Sequence, residues 1–320
     1  MNVERLFYTD DFSESGFVFA PFDNQQKSIL FPLETSDFIT ENISLDAFID
    51  EEKTFFADEA AKETHIKLVE KTIEEIKKND LKKVVVSRTE QVKIDDFNLV
   101  VIYQKLLQNY KNAFVYVWFH PKIGLWLGAT PETLLEIKDS VFTTMSLAGT
   151  QLYKDTENIV WKSKELNEQQ LVTDFIESQL SGISSNLKID KTETVKAGSL
   201  LHLKTKVTGV LNEKSSLKTL VSALHPTPAV CGMPREKSKK FILENENYKR
   251  SFYTGFLGEL NLQSSTFKTP SSSLFVNLRC MSINKNNASI FIGGGITKDS
   301  NAAKEWEETV SKSNVMKRVL

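Results

Sequence analysis

Two pairs of glutamates stand three residues apart, Glu165 with Glu168 and Glu305 with Glu308. On a helix this spacing puts both carboxylates of a pair on one face. Two such faces brought together would make the oxygen-rich site that a hard cation such as Mg²⁺ takes. The same residues also read as solvated acidic faces near helix N-termini, where negative charge is favoured. Lys83 opens the apolar run KVVVSR. If it is desolvated, the neutral amine is favoured and can act as a general base. If it lies at a strand end, the amine reaches water along its apolar stem. Glu132 follows Thr130-Pro131, either as a buried acid or as an ordinary turn residue. Arg279 interrupts the apolar run LFVNLRCMSI, so it must find a partner or bind an anion. Gly293-Gly294-Gly295 follow a predicted strand. Their N–H groups suit an anion, although a plain strand-to-helix turn explains them equally well. His202 and His225 each read as structural histidines.

The background excludes several classes. The chain has 320 residues, is 40% hydrophobic and carries a net charge of −2, which fits a globular protein of one large domain or two modest ones. A near-neutral chain has no electrostatic footprint for nucleic acid. The run at Lys237, Lys239 and Lys240 reads as a solvated helix face. Two cysteines, Cys231 and Cys280, form no CxxC pair and suggest reduced thiols in the cytoplasm. The four histidines show no zinc-ligand spacing, and there is no P-loop and no nucleophile elbow. The acidic start, MNVERLFYTDDF, lacks the apolar stretch of a signal peptide, and no run is long enough to span a membrane.

These residues must be carried by elements of both periods. Ile66, Val69, Ile73 and Ile76 predict an amphipathic helix over 61–78. Helices are also expected over 97–109, 156–181, 235–246 and 299–317. Strands are expected in KVVVSRTEQVKI, FVYVWF, LWLGAT, LLEIKDSVFTTMSLAG and HLKTKVTGVL, and at Tyr253–Asn261, Leu274–Asn284 and Ala288–Gly293. Without strict βαβ alternation, the fold class is mixed α/β (α+β) with large sheets. Glycine is scarce before residue 124, where only Gly16 occurs, which hints that the first part is an accessory layer.

Taken in order, KVVVSR, GATPETLL, SLAGT, KELNEQQLV, LHPTPAVCGMP, YKRSFYTGFLGEL, VNLRCMSI, GGGI and EWEETVSK resemble the chorismate-utilising enzymes from about Lys83 to Lys312. The resemblance implies one chorismate-binding domain over 1–320. Residues 1–80 are its variable part and 81–320 its catalytic core, with two large stacked antiparallel sheets flanked by helices. It also implies Mg²⁺ dependence. Glu168 and Glu308 fall on the family's metal-binding glutamates, with Glu165 and Glu305 as helpers of the metal shell. The ring carboxylate of chorismate would meet the metal and Ala148, Gly149 and Thr150. The pyruvyl carboxylate would meet Arg279, Tyr253, Lys312 and the backbone near Gly293 and Gly295. An arginine and backbone N–H groups suit a carboxylate because their donors point in fixed directions. His202 matches a histidine near the ring.

Within the family, Lys83 points to water as the nucleophile, since ammonia-adding members usually lack that lysine. Ala148 argues against aminodeoxychorismate synthases, and LHPTPAVCGMP resembles isochorismate synthases more than salicylate synthases. The implied reaction adds water at C2 of chorismate and expels the C4 hydroxyl, with Lys83 as base and Glu132 as acid. Its product feeds menaquinone or siderophore synthesis. Salicylate synthase is the alternative, with an anthranilate or aminodeoxychorismate synthase component and a silent chorismate-binding protein behind it. No amidotransferase partner is implied, and a monomer is expected. Ser146, Gln169 and Gly294 depart from the usual pattern, Gln169 standing where a histidine is common.

Overall fold

Sixteen strands and six α-helices form among the described residues of the computed structural model, which are 5–43, 58–153, 159–197, 200–263 and 269–320. In chain order they are β1 (Phe7–Thr9), β2 (Gly16–Ala20), β3 (Ser28–Pro32), α1 (Glu59–Lys78), β4 (Lys83–Lys93), α2 (Leu99–Asn109), β5 (Phe114–His120) and β6 (Gly124–Thr130). Next come β7 (Thr133–Lys138), β8 (Val141–Leu152), α3 (Ser163–Leu180), β9 (Ser184–Ile189), β10 (Glu193–Ala197), β11 (Leu200–Leu211) and α4 (Leu217–Leu224). The chain closes with β12 (Gly232–Met233), α5 (Arg235–Asn245), β13 (Phe256–Leu262), β14 (Ser271–Val276), β15 (Cys280–Asn284), β16 (Asn287–Ile296) and α6 (Ala302–Lys317).

These elements sort into two compact units whose segments interleave along the chain. The first comprises Met1–Thr40, Pro131–Ala229 and Ser251–Asn277, the second Glu41–Thr130, Val230–Arg250 and Leu278–Leu320. The first holds a ten-stranded antiparallel sheet in the order β1-β3-β2-β13-β14-β7-β8-β11-β10, with β9 also on β11. The second holds a six-stranded antiparallel sheet in the order β12-β4-β16-β15-β6-β5. The mixed α/β class with large antiparallel sheets is thus what the chain adopts.

In the second unit, α1 buries His65, Val69, Thr72 and Ile76, a stripe at helical spacing. Asp58 caps it by accepting from the N–H groups of Ala60 and Ala61, and Lys77 and Lys78 suit its C-terminal dipole. Strand β4 is buried on both sides over Lys83–Arg88 and alternates only beyond them. Leu127, Met281, Ile283, Ile290 and Ile292 pack with Ile102 and Leu106 of α2 and Met316 of α6 into a continuous core. No helix among the described residues is long and apolar enough to cross a membrane.

Three sequence expectations shift. The strand expected over Leu274–Asn284 is two strands, β14 and β15, in different sheets. The link between them passes through Arg279 at φ 46°. An arginine in a left-handed conformation breaks an extended run. The helix expected from 156 begins at Ser163, with Lys162 as its N-cap, and Ile159–Trp161 are not helical. Residues 156–158 of that prediction lie outside the described residues. The three glycines do not follow a strand. They lie inside β16, with Gly293, Gly294 and Gly295 opposite Ser87, Val86 and Val85 of β4.

His65 illustrates the cost of this burial. It is 2% exposed, and neither ring nitrogen has a hydrogen-bond partner among the described residues. Burial, and then the charge of Arg88, push its pKa down to about 4. The unfolded chain therefore takes up a proton first as the pH falls. Stability is full above pH ~6.5 and drops toward pH 4, by up to about 3 kcal/mol from this residue. Thermal melts across that window will show a shallower loss for His65→Phe than for the natural chain. Parallel curves would contradict it.

Candidate functional site

The site residues expected from the sequence fall into two groups, one in each unit. In the second unit, Lys83 is the first residue of β4 and is 2% exposed. Of the two readings open from sequence, the amine reaching water is the one the burial excludes. β12 adds a short strand beside Lys83. Met233 is its register partner, and the Lys82 N–H donates to the Met233 carbonyl at 2.8 Å. A side chain at Gly232 would overlap the Lys83 carbonyl, so glycine is required there (φ 129°). Ser238 Oγ donates to the same carbonyl at 3.0 Å. Four residues along β4, the Ser87 N–H donates to Glu246 Oε1 at 2.8 Å. Arg250 binds Glu246 at 2.5 Å and the Val85 carbonyl at 2.7 Å, a buried pair that closes this end of the sheet.

Helix α6 lies on the same sheet. Arg88 of β4 donates to Thr309 Oγ1 at 2.9 Å, and its guanidinium sits 4.4 Å from the centre of the Trp306 ring. Lys317 pairs with Glu90 of β4. These anchors turn one face of α6 toward β16. There Glu305 Oε2 and Glu308 Oε1 reach within 3.8 and 4.0 Å of where a Cβ on Gly294 would be. Lys312 Nζ donates to Glu308 Oε1 at 2.6 Å and to the Gly293 carbonyl at 3.1 Å. Glu305, Glu308, Lys312 and the strand at Gly293–Gly295 thus form one cluster. Arg279, half-buried, accepts at its carbonyl from the Ala129 N–H at 3.0 Å.

In the first unit, Ala148, Gly149 and Thr150 lie on β8, opposite β11. Thr150 pairs with His202 and Ala148 with Leu203, so the register slips at Gly149, a β-bulge. Gly149 takes φ 67°, which glycine adopts without strain. Thr150 Oγ1 lies 3.2 Å from His202 Nδ1. The first turn of α3 sits against the bulge, and a Cβ on Gly149 would come within 3.1 Å of the Glu165 carbonyl. Glu165 and Glu168 both lie in that part of α3. Glu132 is 4% exposed, which supports the buried acid over the turn residue, and its carbonyl accepts from the Val276 N–H at 2.9 Å. Tyr253, expected in a strand, is buried in the turn before β13.

Oxygen donors of this kind fit a hard divalent cation. Glu165 Oε2 is buried with no hydrogen-bond partner among the described residues, as a carboxylate awaiting a cation would be. The two glutamate pairs lie in separate units, and among the described residues no three His, Cys, Asp or Glu side chains form a metal-ligating cluster. Sequence reasoning registered Gln169 only as a departure and missed Arg88 with Trp306. These residues act through neighbours far away in the chain, and no local signal marks them.

Gly149→Ala will lower stability by about 1–2 kcal/mol, because the side chain is strained at this φ and meets the Glu165 backbone. Calorimetry checks this, and an unchanged melting temperature would show that the bulge tolerates a side chain.

The profile of the chorismate binding enzyme family matches residues 24–320. Isochorismate synthase EntC of Escherichia coli (strain K12) is 29% identical over 205 residues, 61% of this chain and 51% of EntC. Isochorismate synthase MenF of Bacillus subtilis (strain 168) is 28% identical over 270 residues, 81% of this chain and 56% of MenF. The chain thus spans about half the length of the curated relatives it matches. The crystal structure of DhbC from Bacillus anthracis superposes with a TM-score of 0.81 at 27% identity, covering 95% of this chain and 84% of that one. With a profile match that runs over nearly all of its length, the chain belongs to the chorismate binding enzymes.

Proposed function

We propose that the protein is an isochorismate synthase, an isomerase that converts chorismate to isochorismate with Mg²⁺ as cofactor. The observation that carries this reading is the burial of Lys83 at the head of β4, together with Ala148 in the SLAGT segment. A water-adding member needs a desolvated base, because water is a poor nucleophile and an amine takes its proton only when neutral. The likeness to EntC and MenF, both isochorismate synthases by name, points the same way.

Lys83 takes a proton from the water that attacks C2. The ring double bonds shift, and the C4 hydroxyl leaves as water with a proton from Glu132. One water enters and one leaves, so atoms and charge balance. Each proton transfer contributes on the order of 10²–10⁴-fold. Glu165, Glu168, Glu305 and Glu308 would hold Mg²⁺, which when bound would neutralise the ring carboxylate of the substrate. Ala148, Gly149 and Thr150 bind that carboxylate, and His202 supports the ring. Arg279, Tyr253, Lys312 and the backbone at Gly293 and Gly295 bind the pyruvyl carboxylate. Chorismate is the partner, with no amidotransferase subunit, no nucleic acid and no membrane. The chain acts in the cytoplasm as a single chorismate-binding domain and as a monomer.

Chromatography of the products from chorismate and Mg²⁺ tests the reading. Isochorismate is expected, disappearing with a chelator and reduced at least about 10²-fold in Lys83→Ala with chorismate binding retained. Salicylate with pyruvate as the main product would make it a salicylate synthase. An amino product appearing only with ammonium would overturn water as nucleophile.

A further inference from the structure

We infer that Gln169 is a positioning residue, which fixes the carboxylate-binding segment of β8 against the metal-binding turn of α3. The inference rests on the proposed reading of that segment. Gln169 is 3% exposed and lies one turn after Glu165, on the same face of α3. Its Oε1 accepts from the Ala148 N–H at 2.8 Å. Its Nε2 donates to Ser146 Oγ at 2.8 Å, to Thr205 Oγ1 at 2.9 Å and to the Ser146 carbonyl at 3.2 Å. The orientation of the amide is determined, because a backbone N–H can only donate and a carbonyl can only accept.

The fold leaves a specific gap for this side chain. The β8–β11 register slips at Gly149, between Thr150↔His202 and Ala148↔Leu203. At such a slip the ladder is interrupted and one strand residue is left unpaired. The Ala148 N–H is met there by Gln169, from the helix that also carries Glu165 and Glu168. A second contact lies beside it, with Gly149 against the Glu165 backbone. Two contacts on adjacent residues fix the register of α3 on β8, which one contact could not do. An apolar residue would fill the space but would leave the Ala148 N–H buried and unpaired. Gln169 touches neither substrate nor metal in this account. It acts through Ala148 and through the glutamates on its own helix.

Behind Gln169 the network continues through groups with no place in the site. Ser146 Oγ lies 2.7 Å from Thr173 Oγ1, and Thr192 Oγ1 lies 2.8 Å from Thr205 Oγ1. Thr205 therefore supplies a control. Thr205→Val removes a hydrogen bond from the same network but leaves the contact with Ala148.

The test compares the full chain with Gln169→Leu, Gln169→His and Thr205→Val. The readouts are stability, chorismate KM, kcat, the Mg²⁺ concentration for half-activation and exchange of the Ala148 amide. Gln169→Leu is expected to raise KM and the Mg²⁺ requirement about tenfold or more, with a smaller change in kcat. Thr205→Val loses stability with KM within about twofold. Gln169→His keeps an acceptor for Ala148 and a donor for Ser146, and restores most of KM. Equal KM and Mg²⁺ requirement in Gln169→Leu and Thr205→Val at matched stability would overturn the inference. If the natural chain does not turn over chorismate, the functional reading fails separately. Exchange then decides the positioning: a faster Ala148 amide in Gln169→Leu alone supports it, and equal exchange in both variants overturns it.

Discussion

The second unit is organised around one costly requirement, an amine held inside a sheet. Lys83 stands at the head of a strand that is buried on both sides through Arg88. The neighbours of β4 serve this burial. β12 covers the strand beside Lys83, and Gly232 lets it approach. Glu246 and Arg250 hold Ser87 and Val85, while Arg88 and Lys317 hold α6. β12, Glu246, Arg250, Thr309 and Lys317 lie about 150 to 230 positions from the β4 residues they meet, so this burial forms only when distant segments of the unit come together.

The two units use different means to place carboxylates. In the second, Glu305 and Glu308 ride on a helix anchored by an arginine stacked on Trp306, and they converge over a strand position without a side chain, Gly294. In the first, Glu165 and Glu168 ride on a helix docked to a bulge by an amide and a glycine. A buried charged anchor tolerates little movement, because parting it leaves an unpaired charge in the interior. A neutral hydrogen-bonded network fixes geometry with a smaller desolvation cost.

Much of the fold was legible in the sequence because its signals are local. The stripe of α1, the β-branched run of β4 and the i, i+3 glutamates mark their elements directly. So does the ordered set of segments from KVVVSR to EWEETVSK. What was not legible depends on remote partners. Composition alone allowed Lys83 to reach water, and only the folded chain, in which β12 from about 150 residues away pairs beside it, shows it buried. Leu274–Asn284 reads as one apolar strand, and only the left-handed turn at Arg279 sends its halves into different sheets. The three glycines read as a loop because glycine lowers strand propensity, yet pairing with β4 holds them extended. Gln169 registers in the sequence only as a departure from the family pattern, and it is the slip at Gly149 that gives its amide a partner.

On the proposed reading, a water molecule activated by the buried Lys83 supplies the new ring oxygen. Turnover of chorismate in ¹⁸O-labelled water, followed by mass spectrometry of the isochorismate formed, tests it directly. One ¹⁸O atom is expected in each product molecule, carried at C2. Isochorismate formed without label would mean that the C4 hydroxyl migrates within the substrate, and would contradict a base that activates water.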